Sequence, residues 1–147
     1  HGYGDPCEGA RVLDLFAGTG ALGLEALSRG AAYAAFVDQS AEARGLIRGN
    51  VDAMGLSGVT GLLRRDATRL GAVAPFEPFT LGFCDPPYRQ GLGEAALAGA
   101  RAGGWLAPGA LVVLEEAADA TVSLPAGFTE QERREAGETQ LLFLRPA

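Results

Sequence analysis

Residues 79–84, Phe-Thr-Leu-Gly-Phe-Cys, form a short apolar run that stops abruptly at Asp85-Pro86-Pro87-Tyr88. Two consecutive prolines fix their own φ angles and push the residues before them towards extended backbone, so the run ends in a stiff turn carrying a carboxylate and an aromatic ring. Such a turn is suited to holding a planar exocyclic amine. The amine is a poor nucleophile, because its lone pair is delocalised into the ring that bears it. If the Asp85 carboxylate and the Pro86 carbonyl accept both N–H hydrogens, the nitrogen moves towards tetrahedral geometry and aims its lone pair at an electrophile. Tyr88, with Pro87 beside it, would stack on the ring, as aromatic faces do with unstacked bases. A base taken from a duplex would have to be flipped to arrive there.

The electrophile is suggested upstream, where Arg11-Val-Leu-Asp-Leu15 runs into Phe16-Ala17-Gly18-Thr19-Gly20-Ala21-Leu22-Gly23. This reads as strand, loop and helix, placing the loop at the carboxyl end of a strand, where open α/β sheets bind ligands. Phe16, Ala17, Gly18 and Gly20 are the expected loop contacts to a cofactor. Gly18, Gly20 and Gly23 also satisfy G-x-G-x-x-G, which alone would suggest NAD with its pyrophosphate at the helix N-terminus. Asp14 argues otherwise: a carboxylate at that strand end can hold loop amides or face an ammonium group, but it repels a pyrophosphate.

Asp38, Asp66 and Asp85 are also expected at carboxyl ends of strands, which makes an acidic rim. S-adenosylmethionine (SAM) carries a sulfonium and an ammonium against one carboxylate, so it is a net cation and suits that rim. We therefore expect SAM, with Asp38 accepting both ribose hydroxyls and Gln39 beside it. Asp66 and Ala67 would meet the adenine edge. Asp38 could instead cap the helix that follows, and Asp66 could be an ordinary turn residue. The leaving group is neutral, so no metal or covalent enzyme intermediate is expected, and the one histidine, His1, lies at the start of the chain.

The elements that must position these residues follow from periodicity. Short apolar runs alternate with helical stretches, which predicts βαβ units and a parallel sheet. Strands are expected near Arg11–Leu15, Tyr33–Asp38, Val59–Arg65, Phe79–Cys84 and Ala110–Glu115, with helices near Ala21–Arg29, Ala41–Met54 and Gly93–Ala102. Ser40 is placed to N-cap the second helix, and Gly30 and Gly55 to end helices in left-handed conformation. After Pro125, the runs Gly127–Ala136 and Glu138–Arg145 joined across Gly137 predict a terminal hairpin at an edge of the sheet.

At 147 residues and 48% hydrophobic, the chain fits a single domain able to bury its own core. We expect a lead over 1–10 and one α/β domain over 11–147. Cys7 and Cys84 make no ligand pattern, and no signal peptide or membrane span is visible, so the protein is expected to be cytoplasmic. The chain opens on His1, which suggests that it begins inside a longer protein or after a tag. All twelve basic residues are arginine, and a net charge of −6 argues against a general grip on phosphates. Arg64, Arg65 and Arg69 are close enough to form a local patch, although a cluster this small is commonly solvated surface.

The run Leu13–Ala32, Phe36-Val37-Asp38, Asp66-Ala67, Asp85-Pro86-Pro87-Tyr88 and Gly104-Trp105-Leu106-Ala107-Pro108-Gly109 together resemble the RsmD-type small-subunit (16S) ribosomal RNA guanine-N2 methyltransferases, over nearly the whole chain from Arg11. The resemblance implies a Rossmann-like SAM-dependent methyltransferase fold with a seven-stranded, mostly parallel sheet, a reversed last strand and helices on both faces. It implies Gly18 and Gly20 against SAM, Asp38 on its ribose, Asp66 at its adenine, and Asp85 and Tyr88 at a guanine of ribosomal RNA in assembling small subunits. A monomer with no membrane partner is expected. The family usually has Glu where this chain has Asp38, and its members carry a basic segment before the first strand. Adenine-N6 DNA methyltransferases share the Asp-Pro-Pro-Tyr chemistry, and glutamine-amide protein methyltransferases use a similar turn that more typically begins with Asn. An NAD-linked oxidoreductase and a catalytically silent binding module are the remaining alternatives.

Overall fold

The structure is a computed structural model and describes residues 5–147. His1 lies outside the described residues. The chain forms β1 (Arg11–Leu15), α1 (Ala21–Ser28), β2 (Tyr33–Val37), α2 (Ala41–Ala53), β3 (Thr60–Leu63), β4 (Phe79–Cys84), α3 (Leu92–Ala102), β5 (Leu106–Ala117), β6 (Phe128–Ala136) and β7 (Thr139–Pro146). The strands make one sheet in the order β3-β2-β1-β4-β5-β7-β6. Pairings from β3 through β5 are parallel, while β7 runs antiparallel to both β5 and β6. This is the Rossmann-like methyltransferase architecture, with the reversed last strand.

The central strands are apolar because both faces are covered. On one side α1 and α2 bury Val12, Leu24, Phe36, Ile47 and Leu81; on the other, α3 covers Leu13, Leu15, Phe79, Leu97 and Trp105. Trp105 is fully buried, stacks on Phe79 at a centroid distance of 6.0 Å, and donates its indole N–H to the Gly71 carbonyl at 2.8 Å. None of the helices among the described residues is long and apolar enough to cross a membrane.

The order reverses direction between β1 and β4: β2 and β3 lie to one side of β1, β5 to the far side of β4. A crevice at such a switch point is where open α/β sheets take ligands. It brings the loop after β1 next to the turn after β4, and the Asp85 amide reaches the Leu15 carbonyl at 3.5 Å.

Two strands depart from their expected limits by more than one residue at an end. β5 starts at Leu106 rather than Ala110, because Phe79 pairs with Leu106 before a register shift brings Leu81 opposite Leu111. The intervening Pro108 and Gly109 mask that start in the sequence, being residues that strand interiors tolerate chiefly at such irregularities. β3 is confined to Thr60–Leu63: Val59 closes a 3-10 turn begun at Ser57, and the Arg65 amide turns back to the Leu63 carbonyl. Ser40 caps α2 through Ala43 at 3.2 Å, and Gly30 and Gly55 take φ values of 104° and 68°, as their positions required.

Candidate functional site

The loop after β1 is built from residues in left-handed backbone: Phe16 at φ 58°, Gly18 at 60° and Gly20 at 80°. That conformation is uncommon for a residue with a side chain, and it carries the Phe16 ring into the crevice. Below it, Asp14 is buried, and its Oδ2 accepts the Gly23 amide at 3.0 Å. Of the two uses expected for this carboxylate, the structure shows the holding of a backbone amide, at the first turn of α1 rather than in the loop. Burial pushes the Asp14 carboxyl up to about 7, the Gly23 amide offsets part of this, and the nearby charges of Asp85 and Asp38 act in the same direction as burial. Gly23 is needed for packing: a Cβ there would lie 2.5 Å from Phe36 Cε1. The third glycine of the pattern therefore follows from close approach of α1 to β2, with no pyrophosphate required.

Asp38 leaves β2 with both oxygens engaged by backbone, Oδ2 accepting from Gly18 and Oδ1 from Ser40, each at 2.9 Å. It thereby ties the glycine loop to the start of α2. Asp66, after β3, accepts from the Thr68 hydroxyl at 2.7 Å and from the Thr68 amide at 2.9 Å, and these two bonds hold its carboxyl below the ordinary value.

Phe16, Asp38, Gln39, Asp66, Ala67, Asp85, Pro86 and Pro87 converge on one groove of about 400 Å³ at the switch point. Asp14, Ala17, Gly18 and Gly20 stand behind it. Ala17 packs towards the core under α1 and α2. Gly18 is reached through its bond to Asp38, and a Cβ on Gly20 would lie 3.2 Å from Ile47 Cγ1. Three carboxylates on the wall suit a ligand of net positive charge and disfavour an anionic dinucleotide. Arg65 also reaches the groove, but it is anchored by donating to the Leu70 carbonyl at 2.9 Å and lies 5.3 Å from the Trp105 ring centre. It is therefore not part of a solvated patch with the exposed Arg64 and Arg69.

The turn after β4 is held from two sides. Pro86 is buried against α3, where a Cβ on Gly93 would approach its Cγ to 3.1 Å. From β5, the buried Glu116 accepts the Arg89 amide at 2.9 Å and the Ala117 amide at 2.7 Å. Arg89, at φ 63°, completes the turn with an ion pair to Asp119 at 2.9 Å. Tyr88, half-buried, donates its hydroxyl to Glu115 Oε2, which pushes the phenol up to about 12.

Pairing of Cys84 with Leu114 sets Asp85 beside Glu115 on the neighbouring strand. Asp85 is exposed, and partial desolvation by its surroundings, then the Glu115 charge and a side-chain hydrogen bond with it, push its carboxyl up to about 6. Asp85 also borders a larger groove of about 830 Å³ that runs between α1 and the sheet, past Phe83, Val113 and Phe143, and includes Glu115. Glu115 and Glu116 escaped the sequence reading. The available signal was a pair of carboxylates ending the buried run Ala110–Leu114.

The family model of conserved hypothetical protein 95 matches residues 3–145. The chain belongs to this family. The RsmD-type resemblance is thus borne out across the conserved hypothetical protein 95 domain. Among its relatives, the ribosomal RNA small subunit methyltransferase D of Escherichia coli is 33% identical over 138 residues, covering 88% of this chain and 65% of its own length. A Bacillus subtilis protein, named as an rRNA methyltransferase, is 44% identical over 85 residues, 56% of this chain and 46% of its own. The chain thus spans between about half and two thirds of the length of these two relatives. A crystal structure of a methylase from Haemophilus influenzae superposes with a TM-score of 0.87 at 25% identity, covering 99% of this chain and 92% of that one.

Proposed function

We propose that this domain transfers a methyl group from SAM to the exocyclic N2 of a guanine in small-subunit (16S) ribosomal RNA. The observation that carries the reading is the place of Asp85. It lines the acidic groove at the switch point and also the larger groove beside it, so one carboxylate would border a cofactor in the first and a base in the second. The names of the Escherichia coli and Bacillus subtilis relatives support ribosomal RNA as the substrate.

SAM would supply an electrophilic methyl on a sulfonium, a neutral leaving group once transfer is complete. Asp38, Gln39, Asp66 and Ala67 are the residues to hold its nucleoside, with Phe16 alongside. Asp38 would act as ribose acceptor with lone pairs not used by Gly18 and Ser40. Asp85 and the Pro86 carbonyl accept the two amine hydrogens, and Pro87 and Tyr88 flank the base. As the N–C bond forms and the S–C bond breaks, the nitrogen gains positive charge. The neighbouring carboxylates stabilise that charge, and the amine's surplus proton leaves towards Asp85. With a net charge of −6, the domain must rely on reading the base and on local contacts more than on a general attraction to phosphates.

The test is transfer of labelled methyl from SAM to 16S ribosomal RNA and to immature small subunits, with digestion to nucleosides. N2-methylguanosine is expected from the wild type, and Asp85→Ala should label at least about a hundredfold more slowly. Equal labelling by the variant would refute the role of Asp85, and N6-methyladenosine would refute the choice of base. Calorimetry should show S-adenosylhomocysteine binding and no NAD binding.

A further inference from the structure

We propose that Glu115 makes the site select guanine over adenine, by accepting the ring N1–H that lies next to the amine held at Asp85. This rests on the reading of the Asp85 turn as the holder of a base amine. Guanine presents two adjacent kinds of donor on its Watson–Crick edge, the N2 amine and N1–H. Adenine presents the N6 amine beside an N1 lone pair. A pocket with a single acceptor can hold either amine, whereas a pocket with two acceptors side by side matches guanine alone.

The structure supplies the second acceptor. The parallel register between β4 and β5 sets Cys84 against Leu114, so Asp85 and Glu115 are lateral neighbours at the carboxyl ends of adjacent strands. Both border the same groove. The Tyr88 hydroxyl donates to Glu115 Oε2, which fixes the orientation of the carboxylate while leaving it further acceptor capacity. Arg29 and Arg134 line the groove as well, and each has a carboxylate partner of its own, Glu25 and Glu132. Two adjacent carboxylates, both ionised, repel each other, and a ligand that brings a donor to each relieves that repulsion. A neutral base edge with N–H groups in a row does so. Adenine would place a lone pair against Glu115, and a site built on a polar contact rejects a ligand that cannot complete it far more strongly than an apolar pocket rejects a misfit.

The experiment replaces the mapped target guanosine in a small-subunit RNA fragment with 2-aminopurine riboside, which keeps the amine but carries a lone pair at N1. The wild type should prefer guanine in kcat/KM by about a hundredfold or more. Glu115→Ala should slow guanine methylation to within about tenfold of 2-aminopurine, while methylation of 2-aminopurine stays the same or rises as the repulsion is removed. Comparing ratios between variants cancels the loss of O6, which 2-aminopurine also lacks. If Glu115→Ala does not fold, Glu115→Gln keeps the side-chain volume and should still shrink the ratio, because its amide can donate to the N1 lone pair. Variants that slow both substrates by the same factor would overturn the inference and leave the methyltransferase reading standing. A wild type that methylates adenine, or no base, would overturn that reading and this inference together.

Discussion

The Gly23 amide donates to Asp14 Oδ2 at 3.0 Å, joining the first turn of α1 to a carboxylate that is 1% exposed. Asp14 thus anchors the glycine loop from beneath, and it does so at an electrostatic cost, since burial raises its carboxyl to about 7. Between about pH 4 and pH 7 the unfolded chain ionises this group while the folded chain keeps its proton. The unfolded state therefore binds fewer protons there, and stability falls as pH rises through that window, by at most roughly 4 kcal/mol. Asp14→Asn, whose amide oxygen can still accept from Gly23, should remove this fall. Urea unfolding of the cofactor-free domain at pH 5 and pH 8 checks it: the variant should gain on the wild type at the higher pH.

Gly23→Ala would set a Cβ 2.5 Å from Phe36 Cε1 and 3.1 Å from Asp14 Oδ2. Alanine gains up to about 1 kcal/mol in helix propensity, but overpacking against a fully buried ring should outweigh it, giving a net loss of about 1–3 kcal/mol. Phe36→Leu in the same background should recover part of the loss. Thermal melts of the two variants would show whether the clash, rather than the glycine backbone, sets the requirement.

Asp38→Asn should weaken S-adenosylhomocysteine binding about tenfold or more. The amide offers one acceptor where the carboxylate serves Gly18 and Ser40 at 2.9 Å each, so one loop amide loses its partner at a cost of about 1–3 kcal/mol. Calorimetry would reveal this, and unchanged affinity would remove Asp38 from the cofactor site.

The wild-type rate should depend on the ionisation of Asp85. Its carboxyl is raised to about 6 by partial desolvation and by Glu115, so kcat/KM should rise with pH through about 6 and level off above it. The acid is inactive because a protonated carboxyl presents a donor to the amine. Glu115→Gln removes the neighbouring charge, and the midpoint should move down towards the ordinary carboxylate range. A midpoint that stays in place would show that the titrating group is not Asp85.

Arg11–Leu15, Phe79–Cys84 and the starts of α1 and α2 were legible in the sequence, because buried parallel strands and capped helices are specified by residues close together in the chain. The expected groove residues Phe16, Asp38, Gln39, Asp66, Ala67 and Asp85 through Pro87 also come together, since each follows a strand and every parallel strand delivers its carboxyl end to the same side of the sheet. What the sequence could not rank were the uses of each carboxylate. Asp14 and Asp38 spend their bonds on backbone amides of the loop and of the helix starts, and that depends on which N–H groups the fold leaves facing them. The turn at Asp85-Pro86-Pro87-Tyr88 was visible as a stiff amine holder from local residues alone. Its partners Glu115 and Glu116 lie about thirty positions away on β5, and only the pairing of β4 with β5 decides that they meet it.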